Sequence, residues 1–350
     1  MVDRVVSADS HMLVLDEDVV ERLDPRYHEA YLGLPGAHRR AGVSRAHQEP
    51  SPSAGPAANR AGEWDPKERL ADMDIDGVAA EVIYTDPTGG AAFYKLPPEE
   101  GLACVRAFND AALAFAAVDS LRLLPVYLLP MHDVAAAVAE LQRIVAEGAR
   151  AVQIPLYPAD AGLAPYHDAQ YEPFWSAVEE IGIPLSLHVC PPAGRSLGRD
   201  PTPARGIFQV MPPILMSQPL VELILTGTFT RHPALRVIFV ESGLSWIPYI
   251  LDRLDRTYHK SGWKQRGMPL DELPSYYWFN NMAATFEEDE LGLELRQRIG
   301  VDNLLWASDY PHPDSTWPES RKVIAEQFTA CRPEEVARMV RDNAARLYHL

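Results

Sequence analysis

Short apolar runs recur along the chain, separated by longer segments whose apolar residues repeat at helical spacing. Each run is rich in Val, Ile, Leu or aromatic residues and is almost continuously apolar, as expected for a strand buried on both faces. The eight runs cover residues 4–8, 80–85, 123–129, 151–155, 184–189, 235–241, 277–280 and 303–308. Helices are predicted between them, for example over 99–118, 134–147, 171–181 and 246–258. This alternation predicts repeated β/α units.

Eight strands that alternate with helices close naturally into a (β/α)8 TIM barrel with parallel strands. Such barrels commonly occupy a chain of 350 residues as one domain, so a single domain over 1–350 is expected. The alternative is an open, doubly wound sheet. In a barrel, the loops that follow the strands all lie at one face, the C-terminal face, where active sites are built.

Two segments interrupt the β/α pattern. Residues 40–62 are crowded with Ala, Ser, Pro, Gly and Arg, and residues 190–213 are rich in Pro and Gly. Both compositions are typical of long loops. Because one follows the first strand and the other follows the fifth, we expect both to hang over the same face of the barrel as lids.

Charge and cysteine usage narrow the class of protein. The formal net charge of −17 and the lack of a basic run argue against a nucleic-acid partner. No apolar run approaches the roughly 20 residues needed to cross a membrane, and the first residues do not form a signal pattern. Cys104, Cys190 and Cys331 lie far apart, without the spacing of a structural zinc site. A reduced, cytoplasmic protein is predicted.

Side chains that can bind metal follow the predicted strands at their C-terminal ends. They come from Asp9-Ser10-His11 after the first strand, from the ends of the fifth and sixth, and from the segment after the eighth; the set is Asp9, His11, His188, Glu241, Asp309 and His312. Each alone is more often a cap or a hydrogen-bonded loop residue than a ligand. Together at one barrel mouth they would repel one another and lose hydration, and a cation would offset that cost. A metal site is therefore predicted.

Four motifs resemble those of the amidohydrolase-related (amidohydrolase-2) barrel family, which includes aminocarboxymuconate-semialdehyde decarboxylase-like enzymes. They are Asp9-Ser10-His11, His188 in Leu-His-Val, the segment that starts at Glu241, and Asp309-Tyr-Pro-His312. The resemblance spans nearly the whole chain and implies an amidohydrolase-like barrel whose metal is held by Asp9, His11, His188 and Asp309. The chain departs from the family's decarboxylases at Glu241, where they usually have a His.

Three carboxylates and three imidazoles are more donors than one catalytic zinc uses. They suit two divalent ions, iron or a manganese/iron pair, which oxygen- and nitrogen-rich ligands favour. No lysine ends a predicted strand, so a carboxylate such as Glu241 would bridge the ions. The pattern is similar to the family's dinuclear non-haem oxygenases. This similarity implies a monooxygenase that hydroxylates a small organic substrate with O2 and an external reductant, with Glu241, Asp309 and His312 as its catalytic residues.

The alternative is a hydrolase or a non-oxidative decarboxylase with one zinc or manganese ion on Asp9, His11, His188 and Asp309. Glu241 would then act as a general base, or would only accept a hydrogen bond from a backbone amide or Trp246, while His312 caps a turn. A barrel that has lost its activity is a third interpretation. The helix after the sixth strand and the C-terminal helix could bury a homodimer face.

Overall fold

The protein is described here from a computed structural model. The structure describes residues 4–34, 56–57, 60–86, 88, 90–190, 201–263 and 266–350, and for 201–205, 208 and 209 it describes the backbone alone.

Eight parallel strands in the described part of the chain pair in sequential order. They are β1 (Val5–Ser7), β2 (Val78–Tyr84), β3 (Leu123–Leu128), β4 (Val152–Gln153), β5 (Leu185–His188), β6 (Val237–Val240), β7 (Met282–Phe286) and β8 (Leu304–Trp306). The first and last strands also meet, since the Ala8 amide donates to the Trp306 carbonyl at 3.1 Å. The sheet therefore closes into a (β/α)8 barrel, which confirms the predicted fold and makes the open sheet wrong.

The helices follow the expected alternation. They are α1 (Asp16–Arg22), α2 (His28–Leu32), α3 (Pro66–Asp76), α4 (Pro98–Ala116), α5 (Val134–Ala146), α6 (Glu172–Ile181), α7 (Pro201–Leu215), α8 (Ser217–Leu225), α9 (Thr228–Arg231), α10 (Ile247–Lys260), α11 (Pro274–Asn281), α12 (Glu290–Glu294), α13 (Arg296–Ile299), α14 (Ser320–Gln327), α15 (Pro333–Ala337) and α16 (Asn343–Tyr348). No described helix is long and apolar enough to cross a membrane.

Strand residues alternate between two buried environments. On β6, Ile238 and Val240 pack in one cluster with residues of the other strands, whereas Val237 and Phe239 pack in a second cluster with helix residues. The first cluster fills the barrel interior, and the second lies between the strands and the surrounding helices. His188 and Asp309 continue the inward-facing positions of β5 and β8, so this alternation directs them toward the barrel mouth.

The prediction of the seventh strand is wrong. Residues 277–280 lie in α11, and β7 begins directly after it at Met282. The aromatic run suggested a strand, but Pro274 occupies the first turn of a helix, and Trp278 is buried on that helix with its indole donating to the Ile299 carbonyl. Asn281, which follows the run, is not at the mouth, since its side-chain amide donates to the carbonyls of Pro233 and Leu235 ahead of β6.

The two predicted lid loops are described only in part. Residues 201–213 of the second one are wrong as a loop, since they lie in α7; the prolines and glycines there suggested irregular backbone, but a proline in the first turn fits a helix. Residues 191–200 of that loop lie outside the described residues, as do 40–55 and 58–59 of the first one. Both lids, and a single domain over 1–350, stay predictions.

Candidate metal centre

The ends of β1 and β8 are joined by backbone hydrogen bonds that set the positions of the first donors. The Asp309 amide donates to the Asp9 carbonyl at 3.1 Å, and the His11 amide donates to the Tyr310 carbonyl at 2.6 Å. The Ser7 hydroxyl adds a contact, because it accepts from the Ser308 amide at 2.8 Å. Side chains from opposite ends of the sequence thus converge at one point.

Four of the predicted donors meet in a buried group at the C-terminal face. His11 Nε2 lies 3.0 Å from Asp309 Oδ1 and 3.6 Å from Asp9 Oδ1. His188 Nε2 lies 3.7 Å from the same Asp9 oxygen. All four residues are buried. The structure therefore brings together the set that the family resemblance implies.

The tautomer of His188 follows from its backbone contact. His188 Nδ1 lies 2.9 Å from the Val189 carbonyl, which can only accept a hydrogen bond. Nδ1 must therefore donate, and Nε2 keeps its lone pair toward Asp9. A carbonyl that fixes one ring nitrogen while the other faces the site is the usual arrangement of a metal-binding imidazole.

An unusual backbone conformation directs the Glu241 side chain toward the site. Strand alternation would send it outward after Val237 and Phe239, but its φ is 54°, in the left-handed region that few non-glycine residues adopt. Its amide donates to Thr285 Oγ1 at 2.7 Å, and its Oε2 lies 3.7 Å from His188 Nε2. Asp309 has the same φ of 54°. Strained residues of this kind cluster at functional sites.

His312 joins the group through Asp309. Its Nδ1 lies 2.9 Å from both carboxylate oxygens of Asp309, and its ring centroid lies 4.0 Å from that of His11. Its amide also donates to the Asp309 carbonyl, so it closes a turn as well. The alternative prediction was that Glu241 only accepts a hydrogen bond from Trp246. The Trp246 indole donates to the Ser242 carbonyl instead.

The donors form two groups, and within each group all ligand atoms lie within 4.8 Å of one another. One contains Asp9, His11, His188 and Glu241, and the other contains His11, Glu241, Asp309 and His312. All six predicted site residues thus fall in one cluster. His11 and Glu241 belong to both groups.

The electrostatics of the cluster suit a cation. Burial, with the nearby Asp309 carboxylate, raises the pKa of Asp9 well above its ordinary value. Burial and then Asp309 also raise the pKa of Glu241. Burial would raise the pKa of Asp309 as well, but the His312 and His11 imidazoles hold it below its usual range. Burial, followed by the charge of His312, lowers the pKa of His11, which favours the neutral imidazole that metals bind.

Asp9 provides the test of whether a metal fits. Its side chain is fully buried, and neither carboxylate oxygen accepts a hydrogen bond from any group in the described part of the chain. Buried carboxylates are otherwise paired, hydrogen-bonded or bound to a metal. With the His11 and His188 imidazoles 3.6 and 3.7 Å from Asp9 Oδ1, the donor set fits a divalent ion.

Sequence reasoning missed Glu287, which follows β7. Its Oε1 is buried and has no hydrogen-bond partner among the described residues. Burial and the nearby Asp309 and Asp9 carboxylates raise its pKa. The signal was a carboxylate directly after the run Met-Ala-Ala-Thr-Phe, and it was overlooked because the seventh strand was placed on the preceding aromatic residues.

A buried ion pair supports the loop that carries Asp9 and His11. Arg69 Nε donates to Glu81 Oε2 at 2.5 Å, and Arg69 Nη1 donates to the His11 carbonyl at 2.8 Å. The guanidinium also lies 4.3 Å from the centroid of the Tyr310 ring. Both charged residues are buried and distant in sequence from the loop, so no local pattern indicated this role.

Comparison with known proteins agrees with the fold. The family model described as amidohydrolase (Amidohydro_2) matches residues 9–350, so the chain belongs to this family, as its motifs predicted. The gamma-resorcylate decarboxylase of Rhizobium sp. (strain MTP-10005) is 26% identical over 305 residues, which cover 81% of this chain and 86% of that protein.

Solved structures share the barrel. The 5-carboxyvanillate decarboxylase of Sphingomonas paucimobilis superposes with a TM-score of 0.74 at 23% identity, covering 99% of each chain. The 5-carboxyvanillate decarboxylase of Novosphingobium aromaticivorans, complexed with manganese and 4-hydroxy-3-methoxy-5-nitrobenzoic acid, has a TM-score of 0.75 at 19% identity and covers 99% of this chain and 96% of that one. The chain is thus a metal-dependent barrel enzyme by family, and the relatives named above are decarboxylases, not the oxygenases that the count of donors favoured.

Proposed function

We propose that the protein is a metal-dependent, non-oxidative decarboxylase of a small aromatic carboxylate. The observation that carries the proposal is the buried Asp9 carboxylate, which accepts no hydrogen bond in the described part of the chain and faces His11 and His188. The names of the relatives, which include gamma-resorcylate and 5-carboxyvanillate decarboxylases, support decarboxylation and a hydroxylated benzoate as substrate.

Asp9, His11, His188 and Asp309 would hold the ion, with manganese or zinc as the candidates. When bound, such an ion supplies Lewis-acid chemistry at the oxygens of a substrate. The protein's own part is to hold the donors rigidly. The carbonyl of Val189 orients the His188 ring, and Arg69 fixes the His11 carbonyl.

Glu241 and His312 are the accessible members of the cluster. Their side chains are 29% and 28% exposed, whereas those of Asp9 and His188 are almost fully buried. A substrate would therefore meet these two residues first. They stand at the open side of the mouth, where they can orient it and exclude water from the buried donors.

Decarboxylation needs a residue that moves a proton. Loss of CO2 breaks a carbon–carbon bond and leaves its electron pair on the ring carbon, which must take up one proton. Glu241 would supply this proton, because its side chain is 29% exposed and its Oε2 lies 3.7 Å from His188 Nε2. It would take the position at which the family's decarboxylases usually have a histidine.

The test is release of CO2 without oxygen. Chelator-stripped protein reloaded with manganese or zinc is given 2,6-dihydroxybenzoate and 5-carboxyvanillate under anaerobic conditions. We expect CO2 release that depends on the metal and falls at least about a hundredfold in Glu241→Gln, the size expected for loss of a general acid or base. Glu290→Gln, a change at an exposed residue of α12, is the matched control. Absence of CO2 from either hydroxybenzoate with fully loaded protein would contradict the proposal.

A second candidate is the dinuclear monooxygenase. The observation that favours it is that Glu241 belongs to both donor groups, since a carboxylate could contact two ions at once. Two iron ions, or manganese and iron, would then act with O2 and an external reductant. Substrate-triggered oxygen uptake by protein with two such ions would favour this function, whereas anaerobic turnover would exclude it.

The homodimer and the cytoplasmic location stay predictions.

A further inference from the structure

We propose that Tyr84 is a positioning residue for the metal centre, and that Tyr348 of the C-terminal helix α16 holds it in place from the interior of the barrel. Neither residue is one of the predicted metal donors. This role rests on the proposed function, because it assumes that His11 and His188 bind an ion. It also connects the metal centre to a helix at the opposite end of the barrel.

Tyr84, the last residue of β2, is joined by its backbone to the loop that carries Asp9 and His11. The Tyr84 amide donates to the Ser10 carbonyl at 2.7 Å, and the Tyr84 carbonyl accepts from the Met12 amide at 3.2 Å. These two hydrogen bonds lie on either side of His11 in the sequence. The position of His11 in the site therefore depends on that of Tyr84.

The ring of Tyr84 points into the barrel and lies beside both imidazoles. Ala80, Val82 and Tyr84 all pack in the cluster that fills the barrel interior. The centroid of the Tyr84 ring lies 4.9 Å from that of His188 and 6.3 Å from that of His11. It meets the His188 ring edge-on, which is a favourable arrangement of two aromatic rings. Since Tyr84 is fully buried, its ring limits the orientations open to His188.

The hydroxyl of Tyr84 ties it to the strand that carries His188. It lies 2.9 Å from Ser186 Oγ, and both residues are fully buried. Ser186 precedes His188 by two positions on β5, so both side chains face the barrel interior. Tyr84 is thus bonded to the His11 loop through its backbone and to the His188 strand through its side chain. This double attachment sets the spacing between the two imidazoles.

The C-terminal helix supports Tyr84 from the other end of the barrel. The side-chain amide of Asn343, at the start of α16, donates to the carbonyls of Val301 and Leu304. Leu304 begins β8, so α16 lies at the end of the barrel opposite to the mouth. Tyr348 of this helix is nevertheless fully buried and packs in the interior cluster with Tyr84. Its side chain therefore enters the barrel from below.

The hydroxyl groups of Tyr348 and Tyr84 lie within interaction range of each other and of Asp9. Burial raises the pKa of Tyr348, the Tyr84 hydroxyl partly opposes that rise, and the Asp9 carboxylate adds to it. Burial, followed by Tyr348, raises the pKa of Tyr84. Both phenols keep their protons, so each can donate a hydrogen bond. A series of hydroxyl groups thus leads from α16 to the buried side of the metal centre.

The test is a titration of the chelator-stripped full chain with Mn2+ and with Zn2+, with bound ions measured by equilibrium dialysis and elemental analysis. Tyr84→Phe and Tyr348→Phe keep the rings and remove only the hydroxyls. We expect each to weaken metal binding by about 10-fold, the lower end of the range for groups that orient a metal ligand. The double variant should bind no more weakly than either single variant, because the two hydroxyls act through one network.

The matched control is Tyr277→Phe. Tyr277 is buried on α11, and its hydroxyl lies 2.8 Å from Thr230 Oγ1. This variant also loses a buried hydroxyl contact, but the contact is not part of the Tyr84 network. It should therefore lose stability and bind metal like the wild type. Thermal unfolding of all four variants shows whether each chain is folded.

Core packing alone is the competing explanation for the two tyrosines. It predicts lower unfolding temperatures with unchanged metal affinity, and that result would overturn the positioning role. Losses of affinity that simply add in the double variant would overturn it as well. Metal binding that depends on both hydroxyls without any CO2 release would uphold the positioning role and refute only the proposed reaction. A wild-type chain that binds neither ion would overturn both.

Discussion

The two sides of the barrel mouth are built differently. The histidine side, Asp9, His11 and His188, is buried and directly follows or ends strands, and His11 itself pairs with Tyr84 of β2 as an isolated parallel bridge. The acidic side, formed by Glu241, Asp309 and His312, includes two residues with a φ of 54° and two whose side chains are more than a quarter exposed. The first side is therefore set by the sheet and the second by the loops that leave it.

Because of this difference, we expect the two sides to have different functional roles. Donors held by strands keep their geometry while a ligand enters and leaves, which is what a resident metal ion needs. Residues on loops and at strained positions can change while the barrel stays intact, so they determine the reaction and the substrate. Glu241, at the position where the family's decarboxylases usually have a histidine, lies on the second side.

The largest effect is expected from the histidine side. Asp9→Asn keeps the size of the side chain but removes the charge that holds the ion, so metal affinity should fall by more than the roughly 10- to 100-fold typical of a supporting residue, and CO2 release should be lost. Metal content per chain measures this. Asp252→Asn, a change at an exposed residue of α10, is the control. Retained metal in Asp9→Asn would show that the two sides are not divided as described.

The next largest effect is on stability. Arg69→Met removes one partner of a buried ion pair and leaves Glu81 uncompensated, which should lower the free energy of unfolding by about 3–5 kcal/mol. It also removes the hydrogen bond to the His11 carbonyl. Urea unfolding gives the value, and Arg253→Met at the surface of α10 should change it little. A loss as small as that of the control would mean that the histidine side does not depend on Arg69.

A smaller loss is expected from the loops of the acidic side. Asp289 accepts hydrogen bonds from the amides of Leu244, Ser245 and Gly292, so it ties the loop after Glu241 to the start of α12. Asp289→Ala should destabilise the protein by about 0.5–2 kcal/mol, as for other lost helix caps, and loosen Glu241. Urea unfolding with a Mn2+ titration measures both. Asp133→Ala, which removes the cap of α5, should cost similar stability without changing metal binding.

The smallest expected effect has the opposite sign. Glu241→Gly removes the penalty of a side chain in left-handed backbone, which is about 1–2 kcal/mol, part of which is offset by the entropy that glycine loses on folding. We expect it to be more stable than Glu241→Ala by about 0.5–1 kcal/mol, because both lack the carboxylate and only alanine keeps the strain. Equal unfolding midpoints would argue that the backbone at Glu241 is not strained.

The sequence predicted the barrel and most of the cluster because those signals are local. Seven of the eight predicted apolar runs overlap strands, and the donors that follow them at Asp9, His188, Glu241 and Asp309 were identified directly. The seventh run failed because a short aromatic stretch fits a helix as well as a strand, and β7 itself contains small residues with a weaker signal. Glu287 was missed for that single reason.

The sequence by itself determined the order of strands, the family and the residue types at each strand end, because these depend on spacing along the chain. Only the tertiary structure decided which side chains meet. Barrel closure joins Asp309 to Asp9, 300 positions away, and the left-handed backbone turns Glu241 inward against the alternation of its strand. Such contacts depend on the register of the closed sheet and on single backbone angles, neither of which has a local signal.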